Sequence, residues 1–214
     1  MGLLNTQSLS DQIYEILRKD IITQKIICGE KLNIRELQER LSISATPIRE
    51  AINRLQQEGL VDYVSNVGAR VIAIEKKDII EINELCKILD CGAVRLSMQT
   101  GKFEAIAREL KEHIDGQEKY FNEEKEAEYA FHSDECHTVF YRYANNERLN
   151  KMSHQIQGQL SILIVKYQLM HHQEQGIHEH KLIYERVKEN NIEQAIRYME
   201  KHYENSKEVL LSCW

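Results

Sequence analysis

A single proline, Pro47, stands in this chain of 214 residues, and none follows it. Proline is the strongest helix breaker, because it lacks the backbone N–H and its ring clashes with the preceding turn. With only nine glycines as well, little in the sequence interrupts long helices, and a mainly α fold is expected. Pro47 itself marks a beginning: Thr46-Pro47 reads as an N-cap followed by the first helical position.

Three helices are expected before residue 60. Ile13, Ile16, Leu17, Ile21 and Ile22 form a helical stripe within 9–27, and Gly29 stops it. Asn33 with Glu36 three residues later resembles a capping box opening a second helix, Ile34 to Leu41. The third runs from Pro47 with Ile48, Ala51, Ile52 and Leu55 inward, and Gly59-Leu60 ends it. Residues 61–64 and 70–74 read as short strands joined by Asn66-Val67-Gly68. From Lys76 onward six helices are expected, over about 77–100, 103–122, 125–144, 147–172, 177–190 and 192–211, with breaks at Gly101, Asn122, Asn145-Asn146, Gly176 and Asn190-Asn191. Their short connections imply an antiparallel bundle. The expected organisation is a winged helix-turn-helix over 1–75 and an all-helical domain over 76–214.

Three helices followed by a hairpin is the winged helix-turn-helix order, in which the third helix enters the major groove of double-stranded DNA. Arg49 and Asn53, four residues apart, project side by side, as base reading requires of an arginine on guanine and an asparagine on adenine. Arg35, Thr46 and Arg54 are expected to hold phosphates, and Gly68 at the wing tip to let the backbone approach the minor groove. Charge gives no support of its own: residues 1–75 hold nine Lys and Arg against ten Asp and Glu, within a total of −6. Any positive potential must be concentrated on the docking face.

No apolar run is long enough to span a membrane, and the N-terminus lacks the pattern of a secretory signal. Five cysteines without a C-x-x-C pair read as free thiols, so a cytoplasmic protein without membrane attachment is expected.

The stretch Gly29-Glu30-Lys31-Leu32, Leu37, Leu41-Ser42-Ile43-Ser44-Ala45-Thr46-Pro47-Ile48-Arg49-Glu50-Ala51-Ile52, Glu58-Gly59-Leu60-Val61, Gly68 and Val71 closely resembles the GntR family of bacterial transcription regulators. Ala45 departs from the pattern, since most members of this subclass have a base-reading arginine there. Phe131-His132, Ala144-Asn145-Asn146-Glu147-Arg148-Leu149, Glu179-His180 and Met199-Glu200-Lys201-His202 are similar to the FCD type of that family, in its six-helix, VanR-like subgroup. The resemblance implies a regulator, repressor or activator, whose helical domain binds a divalent metal and a small carboxylate effector.

His180 and His202 each lie on an apolar stripe, and Glu128 and His132 share a helix face four residues apart. A buried histidine needs a partner, and one carboxylate with three imidazoles is a good donor set for a transition ion. The resemblance assigns the ligands to an aspartate four residues before a first histidine, that histidine, and one from each of the last two helices, with Glu128 standing where the family usually has the aspartate. Glu128, His132, His180 and His202 are expected to fill these roles, with zinc first among the ions and nickel or manganese next. His113, His137, His154, His171, His172 and His178 read as surface residues. The arginine that meets an anionic effector in relatives is replaced here by Cys86, leaving Arg95, Arg142 and Lys166 as charge partners.

Specificity at operator level exceeds what one reading helix supplies, so a homodimer on a short near-palindrome is expected. A regulator in which the metal itself is the signal would share every one of these features. A helical metalloenzyme is disfavoured: a di-metal site needs two E-x-x-H motifs, and the sequence has none.

Overall fold

The computed structural model describes residues 8–171 and 174–212, and the side chains of these except over 166–171. Lys166, His171, His172 and Cys213 fall outside the described side chains. The chain divides into two compact units, Met1–Ala73 and Ile74–Trp214.

The first unit is α1 (Leu9–Ile22), α2 (Ile34–Leu41), α3 (Ala45–Gln57), β1 (Val61–Val64) and β2 (Gly68–Val71). Ser8 and Asp11 close a reciprocal capping box on α1. Asn33 caps α2 by accepting from the Arg35 N–H, and its own amide donates to Glu36 at 2.6 Å. The cap of α3 is Ser44 rather than Thr46, which places Pro47 at the third helical position. That position tolerates proline equally, because none of the first N–H groups of a helix has an intrahelical partner. Gly59 ends α3 with φ +74, and the Leu60 N–H returns to the Leu55 carbonyl at 2.9 Å.

Ile13, Leu17, Ile21, Ile48, Ile52, Leu55 and Leu60 form the core of this unit. Ile16, expected on the inner stripe, is exposed. Glu58 ties α3 to α1, accepting from the Tyr14 hydroxyl at 2.8 Å and from Arg18 at 2.7 Å. The two strands pair antiparallel, Val61 opposite Val71 and Val64 opposite Gly68. The second strand thus starts at Gly68 and stops at Val71, earlier at both ends than expected. Lys31 bridges to Arg70 on its outer edge.

The second unit is α4 (Lys76–Met98), α5 (Phe103–Asn122), α6 (Glu126–Tyr143), α7 (Glu147–His171), α8 (Gln175–Lys188) and α9 (Ile192–Ser212). It packs as a bundle, with α6 held against α4, α5 and α7, and α9 against α4 and α8. Left-handed residues Glu124, Asn145 and Asn190 turn the chain after α5, α6 and α8. Gly176, expected in a break, lies inside α8. No described helix is long and apolar enough to cross a membrane.

Candidate functional site

On the first unit, Arg49 and Asn53 are both exposed on α3. Arg49 has no ion-pair partner among the described residues, and Asn53 accepts from the Tyr63 hydroxyl of β1 at 3.4 Å. Thr46 is exposed at the start of the same helix, and Gly68, with φ +94, opens β2 at the end of the hairpin turn. Arg35 is exposed on α2, 3.4 Å from Glu39. Arg54 is partly exposed. It is turned back onto α1, where its guanidinium pairs with Asp11 and lies over the Tyr14 ring, 3.9 Å from its centroid. Its position one residue round α3 from Asn53 directs it toward the packed side of the helix.

On the second unit the structure brings His180 of α8 and His202 of α9 together, and the third histidine is His137 of α6. One nitrogen from each lies within 4.8 Å of the others. His137 and His180 are 5% and 2% exposed, so the expectation of a surface His137 is overturned. His132 lies elsewhere. Five residues is about 140° round a helix, which turns His132 toward α5. There its ring rests on Gly116, where a Cβ would meet it at 2.3 Å. It stacks on Tyr120, and its Nδ1 is 3.2 Å from that of His113. Glu128, half-buried, is not part of the cluster either.

Each of the three clustered rings is fixed through Nδ1 by an oxygen acceptor. His137 donates to Asp90 Oδ2 at 2.5 Å, His180 to Gln117 Oε1 at 2.8 Å, and His202 to Glu179 Oε2 at 2.7 Å. These bonds select the tautomer and leave Nε2 of each ring as the remaining nitrogen. The acceptors are themselves held. Asp90 takes hydrogen bonds from Tyr141 at 2.5 Å and Tyr203 at 2.6 Å, and Glu179 takes them from Gln175 at 3.0 Å and Asn205 at 2.6 Å.

The electrostatics follow from this arrangement. Burial pushes His180 well below the ordinary imidazole value, and the neighbouring His202 and His137 add to the effect. Burial also opposes charge on the His137–Asp90 pair. The carboxylate beside the ring and their hydrogen bond overcome it, holding His137 above and Asp90 below their usual ranges. Burial works the same way on Glu179, and His202 with Asn205 and Gln175 keep it below the usual carboxylate range.

The donor set suits a transition ion. Two nitrogens on one ion at about 2.0–2.1 Å and the tetrahedral angle stand about 3.3 Å apart. His137 Nε2 and His180 Nε2 stand 3.2 Å apart. Beside them lies a cavity of about 40 Å³, lined by Ser133, His137, Glu179, His202, Tyr203 and Ser206 among others. The side-chain amide of Gln117 is buried with its nitrogen unpartnered among the described residues.

Of the cationic residues expected to meet an effector, Arg95 and Arg142 are engaged elsewhere. Arg95 pairs with Glu193 at 2.9 Å, and Arg142 with Glu109 at 3.0 Å and Glu135 at 2.7 Å. Cys86 is buried, and burial pushes its thiol well above the ordinary value. The signal for His137 was present in the sequence: Ala130, Ser133, His137, Phe140 and Ala144 form a stripe at helical spacing, all buried.

A helix-turn-helix with a two-stranded wing, joined to a six-helix bundle, defines a DNA-binding transcription regulator with a helical regulatory domain. Residues 9–71 match the model of the bacterial regulatory proteins of the gntR family, and residues 81–205 match that of the FCD domain. The chain belongs to this family of regulators, and it is a regulator rather than an enzyme. It is 25% identical over 200 residues to the HTH-type transcriptional regulator YdhC of Bacillus subtilis, covering 93% of this chain and 89% of that one. It is 28% identical over 186 residues to the Nta operon transcriptional regulator of Aminobacter aminovorans, covering 85% and 87%. Among solved structures, E. coli McbR/YncC shares the fold with a TM-score of 0.80 at 19% identity, over 97% of this chain and 99% of that one. A GntR regulator from Rhodococcus sp. RHA1 does so at 0.79 and 19%, over 96% and 98%.

Proposed function

We propose that this regulator reads a near-palindromic operator as a homodimer and responds to a small carboxylate through a metal centre made by His137, His180 and His202. The observation that carries the metal reading is the set of three Nδ1 hydrogen bonds to Asp90, Gln117 and Glu179. Hydrogen bonding alone does not require three imidazoles to converge in a core, where an unsatisfied nitrogen costs about 1–3 kcal/mol. Three rings oriented by oxygen acceptors are what a bound ion needs. Zinc is the preferred occupant, as a Lewis acid that holds an anionic oxygen. Asp90, Gln117 and Glu179 keep the rings in place, and the surrounding core excludes bulk water.

Operator reading is assigned to Arg49 and Asn53, with Arg35, Thr46 and Gly68 against the backbone. The homodimer reading rests on α4, where Leu85, Ile88 and Leu96 are 38%, 67% and 36% exposed on one stripe. Gly92 falls on the same stripe, and a Cβ there would meet nothing within 4 Å. Exposed apolar stripes of this kind mark partner surfaces.

Thermal melting tests the proposal. Zinc should raise the melting temperature, because it binds only the folded state. Small carboxylates should raise it further only when zinc is present. No response to zinc, or a carboxylate response that is independent of zinc, would contradict the reading.

A further inference from the structure

The position on α6 one turn before His137 faces the same cavity, and it is occupied by Ser133. This side chain is 5% exposed, and its hydroxyl has no hydrogen-bond partner among the described residues. Residues four apart on a helix can ligate one ion together, so this is the place from which α6 would supply a second ligand. Among the described residues, no carboxylate takes its place. Among the described residues lining the cavity, Glu179 is the one acid, and both its oxygens are taken, Oε2 by His202 and Oε1 by Asn205 and Gln175. Asp134, next to Ser133, accepts instead from the Ser161 hydroxyl of α7 at 2.6 Å.

Resting on the metal reading above, we infer that Ser133 sets the ion preference of the centre by withholding a charged ligand. The ion is then held by three neutral imidazoles. Imidazole suits zinc, copper, iron and nickel, whereas carboxylate, carbonyl and water oxygens suit manganese and magnesium. The same absence would leave room on the cavity side for an exogenous anion on a bound ion, with the Ser133 hydroxyl there to donate to it. The cavity of about 40 Å³ admits one or two atoms of such a ligand at the ion. Residue 133 therefore widens the preference for zinc over manganese that a site of nitrogen and oxygen donors already has.

The test uses the full chain with Ser133→Asp, Ser133→Ala and His180→Ala. Zinc and manganese affinities are measured by chelator competition. The visible spectrum of the cobalt(II) form is recorded with and without thiocyanate as the anion probe, and circular dichroism reports folding. Wild type should prefer zinc to manganese by more than about a thousandfold. Thiocyanate should perturb its cobalt spectrum. Ser133→Ala should hold zinc within about threefold of wild type, since serine is not a ligand, and should still respond to thiocyanate but at higher concentration, since the donor to the anion is gone. In Ser133→Asp the zinc-to-manganese ratio should narrow by about tenfold or more, and the thiocyanate response should disappear.

A folded, ion-loaded Ser133→Asp with an unchanged ratio and response would overturn the inference and leave the metal centre standing. So would a Ser133→Ala that loses cobalt as His180→Ala does. If Ser133→Asp does not fold, the other two proteins decide: an absent thiocyanate response in wild type overturns the open position. A wild type that takes up neither zinc nor cobalt fails at the metal reading itself, and the inference falls with it.

Discussion

His137 and His180 face each other across the bundle with their Nε2 atoms 3.2 Å apart, each ring fixed from behind by a different acceptor. Without an ion, one of these nitrogens must carry a proton for the other to accept. Asp90 places it on His137, whose ring is held above the usual imidazole range, while burial holds His180 well below it. An ion held by these rings would have to displace that proton. Zinc affinity should therefore weaken as pH falls, by about tenfold per pH unit while one proton is released on binding. Competition titrations from pH 6 to 8 check the slope, and a flat profile would contradict the shared proton.

Asp90→Asn tests the support behind the rings. It keeps the shape but removes the charge that orients His137, and it offers one acceptor to Tyr141, Tyr203 and His137. Loss of such a partner typically lowers metal affinity about 10–100-fold. Chelator competition on the folded variant should show this, and unchanged affinity would make Asp90 a packing residue only.

Arg49→Ala and Arg54→Ala should behave differently. Arg49 is exposed and without an ion pair among the described residues, so its loss should remove operator discrimination, about 1–3 kcal/mol per half-site. Arg54 lies over Tyr14, a contact worth about 0.5–1 kcal/mol. Its loss should lower the melting temperature of the first unit and leave discrimination intact. Anisotropy titrations on operator and scrambled DNA, with melting curves, separate the two.

Ile88→Asp should give a folded monomer. A charge at the most exposed position of the α4 stripe opposes burial against a second copy. Equilibrium sedimentation at micromolar concentration checks it, and a dimer that persists would move the interface elsewhere.

Much of the fold was legible because it rests on local chemistry. The second helix, Ile34–Leu41, and α5, Phe103–Asn122, have the bounds expected from their caps and breaks. The wing followed from Gly59-Leu60 and the turn at Asn66. The errors arise where tertiary contacts decide. Ser44 and Thr46 are both good caps, and only the path of the preceding turn chooses between them. The third histidine was misplaced because α6 is buried on several sides, from Tyr129 through Tyr141. The stripe Ala130, Ser133, His137, Phe140 and Ala144 marks the face of His137, but it competes there with the apolar residues on the other buried sides of α6. The dipeptide Phe131-His132 drew attention to the wrong turn, although Phe131 is 51% exposed.

The placement of the metal centre is tested most directly by elemental analysis of wild type, His137→Ala and His132→Ala after incubation with zinc and removal of excess. Wild type and His132→Ala should each retain about one ion per chain, and His137→Ala should retain none. A metal-free wild type, or an ion lost from His132→Ala and kept by His137→Ala, would contradict the assignment.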